Sequence, residues 1–111
     1  MTVSYYVRYH GEAEDSGAFL AHYRDVHVPH LLRFPGIRAV ILHHGADCAD
    51  PFPVSPGGDL LLAEMVFDTI EDLDRALASE ARARARADFA SFPAFAGTVT
   101  HQAMIAEEFR P

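Results

Sequence analysis

Two side chains four residues apart, Tyr23 and His27, are the pair in this sequence best placed to do chemistry. They lie in the stretch FLAHYRDVHVPHLLRFPG, from Phe19 to Gly36. At helical spacing Phe19, Leu20, Tyr23, His27, His30, Leu31 and Phe34 fall on one face. An imidazole in such an apolar stripe titrates near neutral pH, and burial or a neighbour moves that titration easily. It suits a general acid or base, with Tyr23 orienting it or holding a substrate oxygen. The same pattern also fits a core histidine satisfied by a backbone carbonyl or by Tyr23, beside a packed phenol. The stripe alone leaves both readings open.

The other polar side chains narrow the chemistry. Seven histidines invite a metal, yet no single element carries the ligand spacing of a zinc site. A site assembled across elements from His27, His101 and Glu64 is conceivable; no metal is expected. Cys48 lies in a loop with no base near it in sequence, so it reads as a thiol without a role. In the Ala-Arg repeat from Ala81 to Arg86, helical spacing turns Arg84 away from Arg82 and Arg86, and the run reads as a solvated face. There is no glycine-rich phosphate loop and no Gly-x-Ser-x-Gly elbow. With no flavin, metal or nucleotide motif, the expectation is chemistry without a cofactor.

Composition excludes several classes of partner. The 111 residues fit one domain, spanning 1–111. A net charge of −7 argues against nucleic acid and against anionic membranes. One cysteine forms no internal disulfide, and no apolar run approaches the ~20 residues of a membrane helix. The first strand is polar at alternate positions and does not read as a signal peptide. A soluble cytoplasmic protein is expected.

The elements that must position Tyr23 and His27 follow from periodicity. Val3, Tyr5, Val7 and Tyr9 alternate with polar residues as a strand, which the Gly11–Gly17 turn should break. Asp15 or Ser16 caps a helix from about Gly17 to Phe34, with a kink expected at Pro29. Ile37 to His44 is apolar enough for a strand covered on both faces. A long loop, Gly45 to Gly58, precedes a third strand, Asp59 to Phe67, whose interior charge is Glu64. Thr69 and Asp72 form a cap for a second helix, Ser79 recaps the chain, and EARARARADFA continues it. Thr98 to Ile105 alternates as a fourth strand. The order βαββαβ defines an α+β, ferredoxin-like fold: an antiparallel sheet with both helices on one face. Strands two to four would make the other face apolar, which predicts a homodimer through the sheet face.

The segment HYRDVHVPH followed by PGI resembles the EthD-like family of the dimeric α+β barrel superfamily. Tyr23, Arg24, Asp25, His27, Pro29, Pro35 and Gly36 carry the resemblance, and SFPAF, Ser91 to Phe95, resembles the Phe-Pro element before the last strand. His30 departs from it, standing where the family usually has an aliphatic residue. The resemblance implies a cleft between sheet and first helix with His27 projecting into it. It also implies kinship with lactone isomerases, polyketide cyclases, decarboxylases and small cofactor-free monooxygenases. The expected function is that of a cofactor-independent enzyme acting on a hydrophobic, oxygenated molecule: a lactone, an aromatic polyketide or an aromatic degradation product. His27 and Tyr23 are the expected catalytic pair, with His30, Phe19, Phe34, His101 and Glu64 around the substrate. A non-catalytic ligand-binding or accessory protein and a cofactor-free monooxygenase are the alternatives.

Overall fold

Alternating aromatic and β-branched residues open the chain as β1 (Val3–Ala13) in a computed structural model that describes residues 1–52 and 57–111. Asp15 accepts a hydrogen bond from the Ala18 N–H at 2.9 Å and starts α1 (Ser16–His22). A single π turn (Tyr23–His27) and the short α2 (Val28–Leu31) complete this helical limb. Next come β2 (Ala39–His43) and β3 (Asp59–Phe67). The Gly45–Gly58 loop lies between them, and its residues 53–56 fall outside the described residues. Thr69 accepts from the Asp72 N–H at 3.1 Å and starts α3 (Ile70–Leu77), as the capping pattern predicts. Ser79 caps α4 (Glu80–Asp88) through the Arg82 N–H at 3.2 Å. A 3₁₀ turn (Phe89–Ser91) leads into β4 (Phe95–Ile105).

The strands are antiparallel in the order β2-β3-β1-β4, the ferredoxin-like arrangement. Register decides what each face carries. Val3, Tyr5, Val7 and Tyr9 of β1 pair with Phe67, Met65, Ala63 and Leu61 of β3. On the helix side these residues join Phe19, Tyr23, Leu31, Leu73, Ala76 and Ala85 in one hydrophobic cluster. Among the described residues no helix is long and apolar enough to cross a membrane.

Three strand expectations are corrected. Gly11 does not end the first strand. It pairs with Gly97 of β4, and both take positive φ, 142° and 151°. A Cβ on Gly11 would collide with the Ala96 carbonyl, and one on Gly97 with the carbonyl of His10. Two glycines therefore let β1 and β4 run on together to Ala13 and Phe95. Second, β2 is not covered on both faces. It is an edge strand with Val40 and Leu42 half-buried and Ile41 exposed. Third, the face away from the helices is mixed rather than apolar. Ile41, Leu62, Val66 and Met104 share it with Tyr6, Arg8, Thr100 and Gln102.

Candidate active site

The helical limb widens just before Pro29, where the Val28 N–H reaches the carbonyl of Tyr23, five residues back. Pro29 then sits in the first turn of α2, where a missing N–H costs least. The wide turn sets the ring of His27 4.8 Å from that of Tyr23, inclined at 50°. The placing of His30 is corrected. Of the two residues expected inward in the turn after His27, Leu31 is buried and His30 is half-exposed. Phe34 follows in the turn after α2 and is buried.

In an α-helix residues five apart diverge by about 140°; the π turn instead brings His22 and His27 to one carboxylate, that of Asp88. His27 Nδ1 lies 2.9 Å from Asp88 Oδ2, and His22 Nε2 lies 3.1 Å from the same oxygen. The His27 and Asp88 side chains are 4% and 8% exposed. Phe92 stands at 90° to the His27 imidazole with centroids 4.9 Å apart, and Phe89 lies at 5.5 Å.

Burial lowers the His27 imidazole below its ordinary value, and its hydrogen bond to Asp88 offsets this only in part. For Asp88 burial acts to raise the carboxyl, but the hydrogen bonds to His27 and His22 outweigh it and hold the group below the usual carboxylate range. At neutral pH the pair is thus a carboxylate and a neutral imidazole. Nδ1–H donates to Asp88, which leaves Nε2 as the basic nitrogen. Burial raises the Tyr9 phenol, and burial together with Tyr9 raises Tyr23 well above the ordinary phenol value. Both are proton donors. Their rings meet edge to face at 5.6 Å, and the two hydroxyls influence each other, Tyr23 drawing Tyr9 down and Tyr9 pushing Tyr23 up. The Tyr9 hydroxyl is the one buried side-chain polar atom without a partner among the described residues.

These groups border a cleft between sheet and helices that holds about 380 Å³ of empty space, counting its open mouth. Tyr9, Tyr23, His27, Leu31, Phe34 and Met65 line its inner part; Tyr5, Arg82, Arg86 and His101 are also on its wall. So His27, Tyr23, Phe34 and His101 line one cleft. Three expected site residues do not. Phe19 is a core residue, packed edge to face on Tyr9 and Phe92 behind the cleft wall. His30 borders a separate surface depression with Arg33, Glu80 and Arg84. Glu64 pairs in register with Tyr6, on the opposite face of the sheet from Val7 and Tyr9. There it accepts hydrogen bonds from Ser4 at 2.7 Å and Tyr6 at 3.1 Å, and meets His43 at 2.9 Å. A shared site of Glu64 with His27 and His101 is therefore not formed.

Asp88, His22, Tyr9 and the two arginines escape the sequence reading. Asp88 does leave a signal. It closes a helix at its C-terminal end, where the backbone carbonyls disfavour an anion. A local rule broken at that position points to a partner elsewhere in the fold.

An oriented imidazole in an aromatic-walled cleft on a ferredoxin-like sheet marks a small α+β protein with a candidate site. The EthD domain matches residues 11–96, and the chain belongs to the EthD family. An ethyl tert-butyl ether degradation (EthD) family protein of Bacillus halodurans is similar over 98% of this chain and 100% of its own, at 25% identity and a TM-score of 0.75. A cofactor-independent oxygenase of Streptomyces nogalater is 15% identical, with 99% and 97% covered and a TM-score of 0.66. A dimeric protein of ferredoxin-like fold from Bacteroides fragilis is 9% identical, with 93% and 94% covered and a TM-score of 0.61. The last two likenesses concern the fold alone. No functionally curated protein matches the chain.

Proposed function

We propose that this EthD-family protein is a cofactor-independent enzyme in which His27, oriented by Asp88, moves a proton on a hydrophobic molecule bearing a carbonyl. The observation that carries the reading is the 2.9 Å contact between His27 Nδ1 and a buried carboxylate, with Nε2 left for the cleft. Nε2 takes a proton from the carbon beside the carbonyl, and the electron pair moves onto the oxygen. Tyr23, a protonated phenol one turn away, donates to that oxygen as charge develops. The imidazolium returns the proton at another carbon, or to a leaving group, giving isomerisation or elimination. Apolar walls keep water from competing.

The test is deuterium exchange into small lactones and cyclic ketones in D₂O, followed by NMR. Catalysed exchange that disappears in His27→Ala, with the circular dichroism spectrum unchanged, supports the reading. Binding without exchange makes the protein a ligand carrier. A second reading follows from the likeness to a cofactor-independent oxygenase: the same deprotonated substrate would react with dioxygen. Oxygen consumption that depends on substrate separates the two.

The protein is further proposed to form a homodimer through its open sheet face. Ile41 and Met104 are 42% and 45% exposed there, and one similar structure is described as dimeric. A monomer by light scattering at micromolar concentration would end that proposal.

A further inference from the structure

The Ala-Arg repeat of α4 divides as helical spacing requires. Arg84 faces out and pairs with Glu80 at 2.9 Å. Arg82 and Arg86, one turn apart, lie on the cleft wall with His101. The chain has no lysine, and all nine of its basic residues are arginine. Arg8, Arg38, Arg75, Arg84 and Arg110 each pair with a carboxylate. Arg82 and Arg86, like Arg24 and Arg33 away from the cleft, have no such partner among the described residues; Arg82 gives one N–H to the Leu77 carbonyl at 3.3 Å. In a chain of net charge −7, two arginines one turn apart, neither paired with a carboxylate among the described residues, stand on the wall of a cleft whose other polar groups are tyrosines and histidines.

The third polar group beside them is His101. Burial lowers its imidazole, and the charges of Arg82 and Arg86 lower it further. It therefore meets a ligand as a neutral hydrogen-bonding group. Among the described residues no anionic side chain lines this cleft.

We propose that the natural ligand of the cleft is a carboxylate: a small apolar acid whose anionic end is held by Arg82 and Arg86 while its carbonyl end reaches His27. Planar guanidinium forks match a carboxylate in geometry as well as charge. An anion fixed at one end also orients the other, which a purely apolar cleft would not do. The inference rests on the reading of His27 as the reacting base and adds the class of substrate.

Four probes test it: 4-acetylbenzoate, 6-acetyl-2-naphthoate and their methyl esters, measured by calorimetry and by NMR of the histidine side chains. The acids should bind at least about tenfold tighter than the esters and shift both His27 and His101 resonances. In the Arg82→Gln/Arg86→Gln double variant the acids should fall to the level of the esters, whose own affinity stays unchanged. Arg84→Gln should keep the preference. Equal binding of acids and esters, or a preference that survives the double variant, overturns the inference. If the esters bind and shift His27 without any preference for acids, only this inference fails. If the probes bind without touching His27, or do not bind at millimolar concentration, the reaction-site reading fails and takes this one with it.

Discussion

Removing the Tyr9 hydroxyl should make the ligand-free protein more stable. Tyr9 is 1% exposed, and its oxygen has no partner in full hydrogen-bond geometry, the Tyr23 hydroxyl being its polar neighbour. Its ring meets Phe19, Tyr23 and Phe95 edge to face at 5.4, 5.6 and 5.8 Å, and phenylalanine would keep all three contacts. What Tyr9→Phe removes is a desolvated donor, and leaving such a group unpaired costs about 1–3 kcal/mol. The void left behind is no larger than a hydroxyl, so most of that gain should survive. Each kcal/mol moves the midpoint of a domain of roughly this size by about 4–8 °C. Urea and thermal unfolding of the ligand-free variant, followed by circular dichroism, measure the effect. Tyr23→Phe is the companion: its hydroxyl is not sealed in the same way, and its removal should change stability by less than about 0.5 kcal/mol. A loss of stability in Tyr9→Phe would refute the reasoning. It would mean that the hydroxyl is satisfied in solution, by a trapped water or by Tyr23, and that the cleft holds no spare buried donor.

Asp88→Asn keeps the shape of the carboxylate and removes its charge, so the His27 imidazole should fall further below its ordinary value and lose its fixed tautomer. Any His27-dependent turnover should drop by about 10²–10⁴-fold, which kinetics with an exchanging ketone would read. Stability should fall on acidification in two stages. A depressed histidine contributes stability that is complete above its unfolded value near 6.5 and is lost as pH falls from there through its folded value. Asp88 adds a second loss below its ordinary 3.8, in the same direction. Urea titrations at stepped pH should therefore show no decline between pH 8 and 7 from this pair, and His27→Phe should shrink the first stage, leaving the part due to His101, which is depressed as well. Gly11→Ala forces a side chain onto the Ala96 carbonyl at a φ of 142° and should cost at least about 2 kcal/mol in the same unfolding assay.

Much of the fold was legible because its signals are local. The alternation in Val3–Tyr9 and the caps at Asp15, Thr69 and Ser79 each need only a few neighbouring residues. Glu64 was misplaced for a definite reason. DLLLAEMVF is apolar at both odd and even positions, so its sequence does not reveal which side faces the helices. The continuation of β1 past Gly11 depends on Gly97, 86 residues later, and no local pattern shows that one glycine has a partner. In the site, the stripe found Tyr23 and His27 but assumed a regular helix. Beyond the π turn Leu31 is buried as the stripe requires, while His30 is only half-buried. Asp88 meets His27 across 61 residues of chain, a contact that exists only once the sheet has brought α4 beside the π turn and α2.

The arginine pair on the cleft wall has a regulatory consequence. A guanidinium stays protonated throughout the physiological range, and with no lysine in the sequence there is no side-chain amine for acetylation to neutralise. The positive charge beside the cleft is thus fixed, with no switch of its own. Its pull on an anion is set by ionic strength and by the anion's own protonation, and any finer control has to act through the histidines or through supply of the ligand.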